Sequence, residues 1–289
     1  MQVKKHFIRY KIKANPFNPE ILSSILWELD IEGINEEDDL LYVFTSQESR
    51  TNHKSISNQL KKLKKEDLIQ NFNVEEEIIQ YKNWNEEWEK KLKVVKISDK
   101  IVIRPSFREY KKQENEIVIT IDPKMSFGTG EHATTKLVIL MLEKYLKTGD
   151  RILDVGSGTG ILSIAAANLG ASYALAIDKD EWCFENGKEN CLLNKVENKI
   201  EIRNCEASEV EEKDFSLIIS NIQKNVLKEI APEFKKRIRQ NGILILSGIL
   251  VGDKKEMNNF YSTLGFNLID SEQLEEWITL VFEYKKISR

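Results

Sequence analysis

RILDVGSGTGIL, residues 151–162, is the stretch on which the reading of the whole chain turns. A β-branched apolar strand ends in Asp154 and Val155, glycines follow at 156, 158 and 160, and Ile161 and Leu162 open an alanine-rich helix. A glycine-rich strand–turn–helix junction lets the chain reverse sharply and lets a ligand lie against bare backbone at the carboxyl end of the strand. The same junction also serves to pack a helix on a strand, so by itself it leaves both uses open. It departs from the nicotinamide fingerprint G-x-G-x-x-G, which needs a small residue where Ile161 stands.

Asp154, two residues before the first glycine, suits a ligand with an ammonium group better than one with a pyrophosphate. S-adenosylmethionine has that chemistry: a cationic amino-acid tail, an adenosine and no phosphate. The next strand, ASYALAID, ends in Asp178, which follows Gly156 by 22 residues. A carboxylate at the tip of a second strand accepts two hydrogen bonds from a ribose diol, or caps the helix that starts at Lys179. The turn and Asp178 at this distance are far more specific together than either alone.

Two further segments belong with them. MSFGTGEHATT, residues 125–135, precedes an apolar helix; Gly128 and Gly130 give it the freedom to fold over a ligand. Thr134 and Thr135 either cap that helix or bond a ligand carboxylate. His132 has no partner at metal-ligand spacing and receives no catalytic role. Ser220-Asn221-Ile222-Gln223 ends the fourth strand of the pattern, beside the crevice where the strand order of such sheets reverses. Asn221 offers an amide oxygen and an amide NH₂ there, or caps the following helix.

Around this centre the chain alternates helix and strand, the mark of a parallel α/β sheet. Strands are predicted at 151–155, 173–178, 199–203, 215–220 and 243–248, and helices at 134–147, 159–169, 181–192 and 223–238. After a helix at 253–264, two late strands at 266–269 and 277–282 return antiparallel, which makes seven strands in all. Toward the amino end, strands at 6–13, 40–45 and 72–79 with helices at 19–29 and 55–65 suggest a small ferredoxin-like α+β domain of the split βαβ order. Trp84 and Trp88 lie four apart on a charged helix predicted at 83–92, a linker pinned by two indoles. Strands at 101–103 and 117–121 lead into the second part. The expected domains are residues 1–80, a linker with leading strands at 81–123, and the ligand-binding domain at 124–289.

Composition narrows the class. The 289 residues are 41% hydrophobic and 31% charged, enough to form a core and a solvated surface. A net charge of −4, from 43 Lys+Arg and 47 Asp+Glu, argues against a surface that tracks a phosphate backbone. Lys61 to Lys65 reads as a solvated helix face. Cys183, Cys191 and Cys205 have no C-x-x-C spacing, and with three histidines they predict neither a disulfide framework nor a metal site. The amino terminus shows no targeting segment, and the most apolar stretch, 242–251, is strand-sized. A cytoplasmic protein without membrane or nucleic-acid contacts is expected.

The strings FGTGEHATT, LDVGSGTGILSIAA, AIDKD, SNIQ, LSGIL and the late EEW resemble the PrmA-type methyltransferases, between about residues 125 and 277. DVGSGTG is shared by many S-adenosylmethionine enzymes, whereas FGTG-x-H-x-TT followed by S-N-I and SGIL is more particular. The resemblance implies a Rossmann-like class I methyltransferase domain. It also implies that protein eleven of the large ribosomal subunit is methylated on lysine or N-terminal amines while the small N-terminal domain holds it. Carried over, the family's donor-binding positions fall on Thr135, Gly156, Asp178 and Asn221. Gly158 belongs to the same turn. Glu131, Ala133 and Gln223 stand where the family usually has Thr, Pro and Leu, and a carboxylate at 131 bears on acceptor choice.

Methyl transfer from sulfonium to amine moves positive charge from sulfur to nitrogen and forms no oxyanion. The site therefore has to bring the two together and keep the amine neutral. Asn221 is the expected catalytic residue, accepting N–H bonds from the amine, with Phe127 shielding the sulfonium by its ring face. The competing readings are a methyltransferase of another protein or small amine, a nonenzymatic ribosome-associated binding module and a nicotinamide oxidoreductase.

Overall fold

The computed structural model describes residues 6–46, 49–80, 92–124 and 126–285. The helix predicted at 83–92, with Trp84 and Trp88, lies outside them apart from its last residue. The chain divides into two compact units, Met1–Glu86 and Glu87–Arg289.

The first unit runs β1 (His6–Asn15), α1 (Pro19–Leu26), β2 (Gly33–Glu37), β3 (Leu40–Ser46), α2 (His53–Lys65) and β4 (Asn71–Gln80). Its sheet has the order β2-β3-β1-β4 with antiparallel neighbours throughout, the split βαβ arrangement. Alternation sets the faces: Tyr10, Ile12, Leu41 and Val43 point inward and pack with Leu22, Leu26, Ile56 and Leu60 of the helices. Asn18 caps α1 by accepting from the Ile21 N–H, and Asn52 and Ser55 form a capping box on α2. The predicted lysine run behaves as expected, with Lys61, Lys62, Lys64 and Lys65 exposed around buried Leu63.

In the second unit, β5 (Val95–Lys96), β6 (Ile101–Arg104) and β7 (Ile117–Thr120) form a small sheet of their own. Then follow α3 (Ala133–Tyr145), β8 (Arg151–Val155), α4 (Ile161–Leu169), β9 (Tyr173–Asp178), α5 (Glu181–Asn194), β10 (Ile200–Asn204), β11 (Phe215–Asn221), α6 (Lys224–Glu229), α7 (Ala231–Arg237), β12 (Ile238–Leu250), α8 (Lys254–Thr263), β13 (Phe266–Leu274) and β14 (Trp277–Tyr284). The large sheet has the order β10-β9-β8-β11-β12-β14-β13. It is the expected seven-stranded, mostly parallel α/β sheet, with β14 alone running against its neighbours. The order reverses between β8 and β11, which makes the crevice above their carboxyl ends the natural ligand position.

Both faces of this sheet are covered. Ile152, Ala174, Ala176, Leu217 and Ile219 pack against α3 and α4 on one side; Leu153, Leu175, Ile218, Leu244 and Leu246 pack against Leu227, Phe234, Met257 and Tyr261 on the other. That explains why the central strands read as unbroken apolar runs. The helix expected at 223–238 is two helices. The second begins at Ala231 with Pro232 in its first turn, where a missing N–H is harmless and the preceding helix cannot continue through it.

Asn186, Asn190 and Asn194 lie four residues apart on α5 and bind backbone. Asn194 accepts from the Thr120 N–H at 2.8 Å, and Asn190 from the Asp122 N–H at 3.0 Å. The Nδ2 of Asn186 donates to the Asp122 carbonyl, and that of Asn190 to the Thr159 carbonyl. One helix face thereby holds both the end of β7 and the glycine turn after β8.

Candidate functional site

The glycine turn is closed by its own neighbours. The N–H groups of Gly156 and Ser157 donate to the Ile177 carbonyl at 2.9 and 3.1 Å, and that of Gly160 donates to the Ser157 carbonyl at 2.8 Å. Gly158 N–H donates to Asp178 Oδ2 at 2.9 Å, and Thr159 N–H to the Phe127 carbonyl at 3.0 Å. Every amide from 156 to 160 is thus committed within the protein, so the turn does not offer the row of free donors that a pyrophosphate needs. Gly158 has φ +54°, and a Cβ there would overlap the Phe127 carbonyl oxygen. The segment before α3 is therefore fastened onto the turn, with Thr159 Oγ1 also donating to the Gly128 carbonyl at 2.8 Å.

Asp178, half-buried at the tip of β9, accepts from Gly158 through Oδ2 and from the Asp180 N–H through Oδ1, at 3.1 Å. The Cys183 thiol also bonds this carboxylate; with about four acceptor positions in all, it keeps room for a further hydroxyl donor. The cap of α5 is Asp180, which accepts from the Trp182 N–H at 2.9 Å, so the capping use considered for Asp178 falls two residues later.

Asp154, expected from the sequence to face a ligand's ammonium group, is a buried residue. It is 0% exposed, lies in the central strand between Ala176 of β9 and Ile219 of β11, and accepts from Ser163 Oγ at 2.8 Å. The sheet is covered on both faces around it, and its Oδ1 is left without a partner. Burial pushes this carboxyl up to about 7; the Ser163 bond opposes the shift and the nearby Asp178 charge adds to it.

Asn221 ends β11, across the reversal point from Gly156. Its Nδ2 donates to Thr134 Oγ1 at 3.2 Å, and its Oδ1 has no partner among the described residues. The following helix has Gln223 at its cap position, so Asn221 does not cap it. Ile222 is pressed between two glycines: a Cβ at Gly156 would meet its Cγ2 at 2.5 Å, and one at Gly248, with φ +80°, would meet its backbone. This wedge fixes the loop that carries Asn221.

The cap of α3 is His132, not either threonine. Its Nδ1 accepts from the Thr134 N–H at 3.3 Å and lies 2.7 Å from Thr134 Oγ1. The ring stands edge-on to Phe127 and Trp277, with centroids 5.4 and 5.2 Å away. Phe127 is 56% exposed. Thr135 Oγ1 is buried without a partner, as are Ser157 Oγ and Asp154 Oδ1. From the sheet side, Thr279 donates to Ser247 Oγ at 2.7 Å, and Ser247 to the Thr134 carbonyl at 3.5 Å. From the sequence, His132 is weighed only as a metal ligand and given no catalytic role; Ser247, Gly248 and Thr279 are not singled out, although the SGIL string contains the first two. Among the described residues there is no cluster that could hold a metal ion and no helix long and apolar enough to cross a membrane.

Compared with known proteins, the family model described as Ribosomal protein L11 methyltransferase (PrmA) matches residues 19–285. A protein of Acetivibrio thermocellus named ribosomal protein L11 methyltransferase is 36% identical over 199 residues, which cover 69% of this chain and 63% of that protein. One of the same name from Fusobacterium nucleatum is 34% identical over 239 residues, covering 79% of this chain and 77% of its own length. The chain thus spans less than two thirds of the former and more than two thirds of the latter. The solved ribosomal protein L11 methylase of Lactobacillus delbrueckii subsp. bulgaricus superposes with a TM-score of 0.63 at 29% identity, over 67% of this chain and 99% of that one.

Proposed function

Because the chain belongs to the ribosomal protein L11 methyltransferase (PrmA) family, we propose that it transfers methyl groups from S-adenosylmethionine to lysine side-chain or N-terminal amines of large-ribosomal-subunit protein eleven. The observation that carries this reading is the polarity around the turn: its amides are all committed, while the Asn221 Oδ1 and the Thr135 and Ser157 hydroxyls have no partner among the described residues. A ligand with a diol and a cationic tail suits that balance; a pyrophosphate does not.

The residues present fit such a donor. A buried hydroxyl without a partner costs about 1–3 kcal/mol, and Thr135 Oγ1 is one that a ligand carboxylate would satisfy. Asp178 keeps acceptor capacity for a ribose hydroxyl. When bound, S-adenosylmethionine supplies an electrophilic methyl group on a sulfonium. Phe127, more than half exposed, is placed to cover that cation with its ring.

On the acceptor side, Asn221 receives an N–H of the incoming amine at its free Oδ1 and so directs the nitrogen lone pair. A lysine in water, with a pKa of about 10.4, is mostly protonated at neutral pH. Partial removal from water beside Phe127 and Trp277 favours the neutral form. The first unit is the part we assign to holding the ribosomal protein. Action on that substrate puts the enzyme in the cytoplasm, and neither nucleic acid nor membrane enters the reaction.

Titration calorimetry with S-adenosylmethionine and with NADH, followed by incubation of labelled donor with total ribosomal proteins, tests the proposal. Heat with the first ligand only, and label in protein eleven, is the expected result. Absence of heat with S-adenosylmethionine, or label confined to other proteins, overturns it.

A further inference from the structure

We infer that His132 is a positioning residue: held as its Nε2–H tautomer, it determines through Thr134 which end of the Asn221 amide faces the acceptor amine. The inference rests on the transfer reaction proposed above and adds to it a residue that acts through Asn221.

The argument is a count of hydrogens. Thr134 N–H points at His132 Nδ1, 3.3 Å away, at the position in the first turn where a cap must accept. Nδ1 therefore carries a lone pair, and in the neutral ring the proton sits on Nε2. Nδ1 has one lone pair, and Thr134 Oγ1, 2.7 Å away, shares it with the longer 3.3 Å amide contact: the hydroxyl hydrogen is donated there in a three-centre bond. Only lone pairs of Oγ1 remain for Asn221, 3.2 Å away, and they accept from Nδ2. Rotating the amide by half a turn would set its Oδ1 against an oxygen with no hydrogen left to give. The relay His132–Thr134–Asn221 thus has one polarity, and that polarity leaves Oδ1 as the outward atom.

The surroundings keep the relay in place. Phe127 and Trp277 hold the imidazole by its edges, and the Thr279–Ser247 pair fixes the Thr134 backbone from the sheet side. Asn221 is in turn pinned by the wedging of Ile222 against Gly248. Each member is set by a different element, as expected of a side chain whose orientation has to be definite before an amine arrives.

Long-range ¹H–¹⁵N spectra of the wild-type protein without ligands, recorded at about pH 8.5, where imidazoles are neutral, test the tautomer directly. His132→Asn identifies the resonance among the three histidines. A pyridine-type Nδ1 is expected; a protonated Nδ1 overturns the inference whether or not the protein methylates anything. The functional arm uses single-turnover transfer at saturating donor, with donor affinity measured separately. Thr134→Val should lower the transfer rate about tenfold, with donor affinity changed less than about threefold. Thr134→Ser should restore most of the rate. In an Asn221→Ala background, Thr134→Val and His132→Ala should cause little further loss, since the relay then has nothing to orient. Losses that multiply in that background, or a Thr134→Val effect confined to donor affinity, would reduce the relay to a structural cap. A wild type that neither binds donor nor transfers methyl would instead remove the parent reading, leaving the spectrum to judge the relay.

Discussion

In the first unit, Arg9, Lys11 and Lys13 line the outward face of β1 opposite Glu77, Glu75 and Asn73 of β4. Arg9 pairs with Glu77, and Lys11 lies 3.8 Å from Glu75; in both pairs each side chain keeps more than a third of its surface exposed. Around the carboxyl edge of the second unit's sheet the polar groups bond to distant parts of the chain: buried Asn190 of α5 to residues 122 and 159, buried Ser220 to the Val155 carbonyl, and half-buried Asn221 to Thr134. The contrast shows what each polar residue is for. Exposed pairs contribute about 0–1 kcal/mol each and keep a sheet soluble. Buried side-chain–backbone bonds fix positions, and breaking one leaves a partner unsatisfied at about 1–3 kcal/mol.

Substitutions rank along the same axis. Gly158→Ala is the most severe, since it combines a left-handed φ with overlap on the Phe127 carbonyl; a loss of about 3 kcal/mol, from backbone strain and displacement together, is expected. A thermal melt and a donor titration would both reveal it, and unchanged values would mean that the turn shifts freely. Asn221→Ala should lower single-turnover transfer about a hundredfold while donor affinity falls much less. Asp178→Ala should show the reverse balance, as it removes the proposed diol acceptor and releases Gly158 N–H. Equal losses in both variants would erase the distinction between binding and orienting groups.

Asn190→Ala deletes two bonds from a side chain with no exposed surface. Urea denaturation should register a loss of about 2 kcal/mol. Asp154→Asn probes the buried carboxyl. Because its folded-state pKa, about 7, lies above the ordinary carboxylate value, it binds more protons folded than unfolded between those two values. Stability from this group is present at low pH and declines as pH rises toward 7, by at most about 1.4 kcal/mol per pH unit. The variant should flatten that slope, and an unaltered stability–pH profile would contradict it. At the small end, Lys11→Ala in the first unit should move stability by no more than about 0.5 kcal/mol; a larger loss would place that outer sheet face in the same class as the site.

Much of the fold was legible because its signals are local. The turn at 156–160 announces strand and helix on either side, and the apolar runs of β8, β9 and β11 match burial on both faces. The strand β2 escaped because GINEE contains one apolar residue, and its partner β3 supplies the pattern. β12 begins at 238 instead of 243 because the chain is irregular between Phe215 and Leu217 of its neighbour, where the register slips. At the site, the glycine turn, Asp178 and Asn221 stood out as candidates because strand-end glycines and polar residues have few uses, each with a capping or packing alternative, and Thr135 was chosen over Thr134 only through the family resemblance. His132 did not stand out: histidine is an uncommon cap, and its role depends on Phe127, Trp277 and Asn221 arriving from elsewhere in the chain. Burial likewise separates Asp154 from Asp178, and no spacing rule reports burial.

The asparagine face of α5 has a consequence for opening events. Thr120 and Asp122 amides find their acceptors on side chains of a helix. In heavy water, their deuterium uptake should therefore follow unravelling of that helix, not fraying of the three-stranded sheet they adjoin. The approach to the crevice and its floor share one mount, so loosening either entails detaching both.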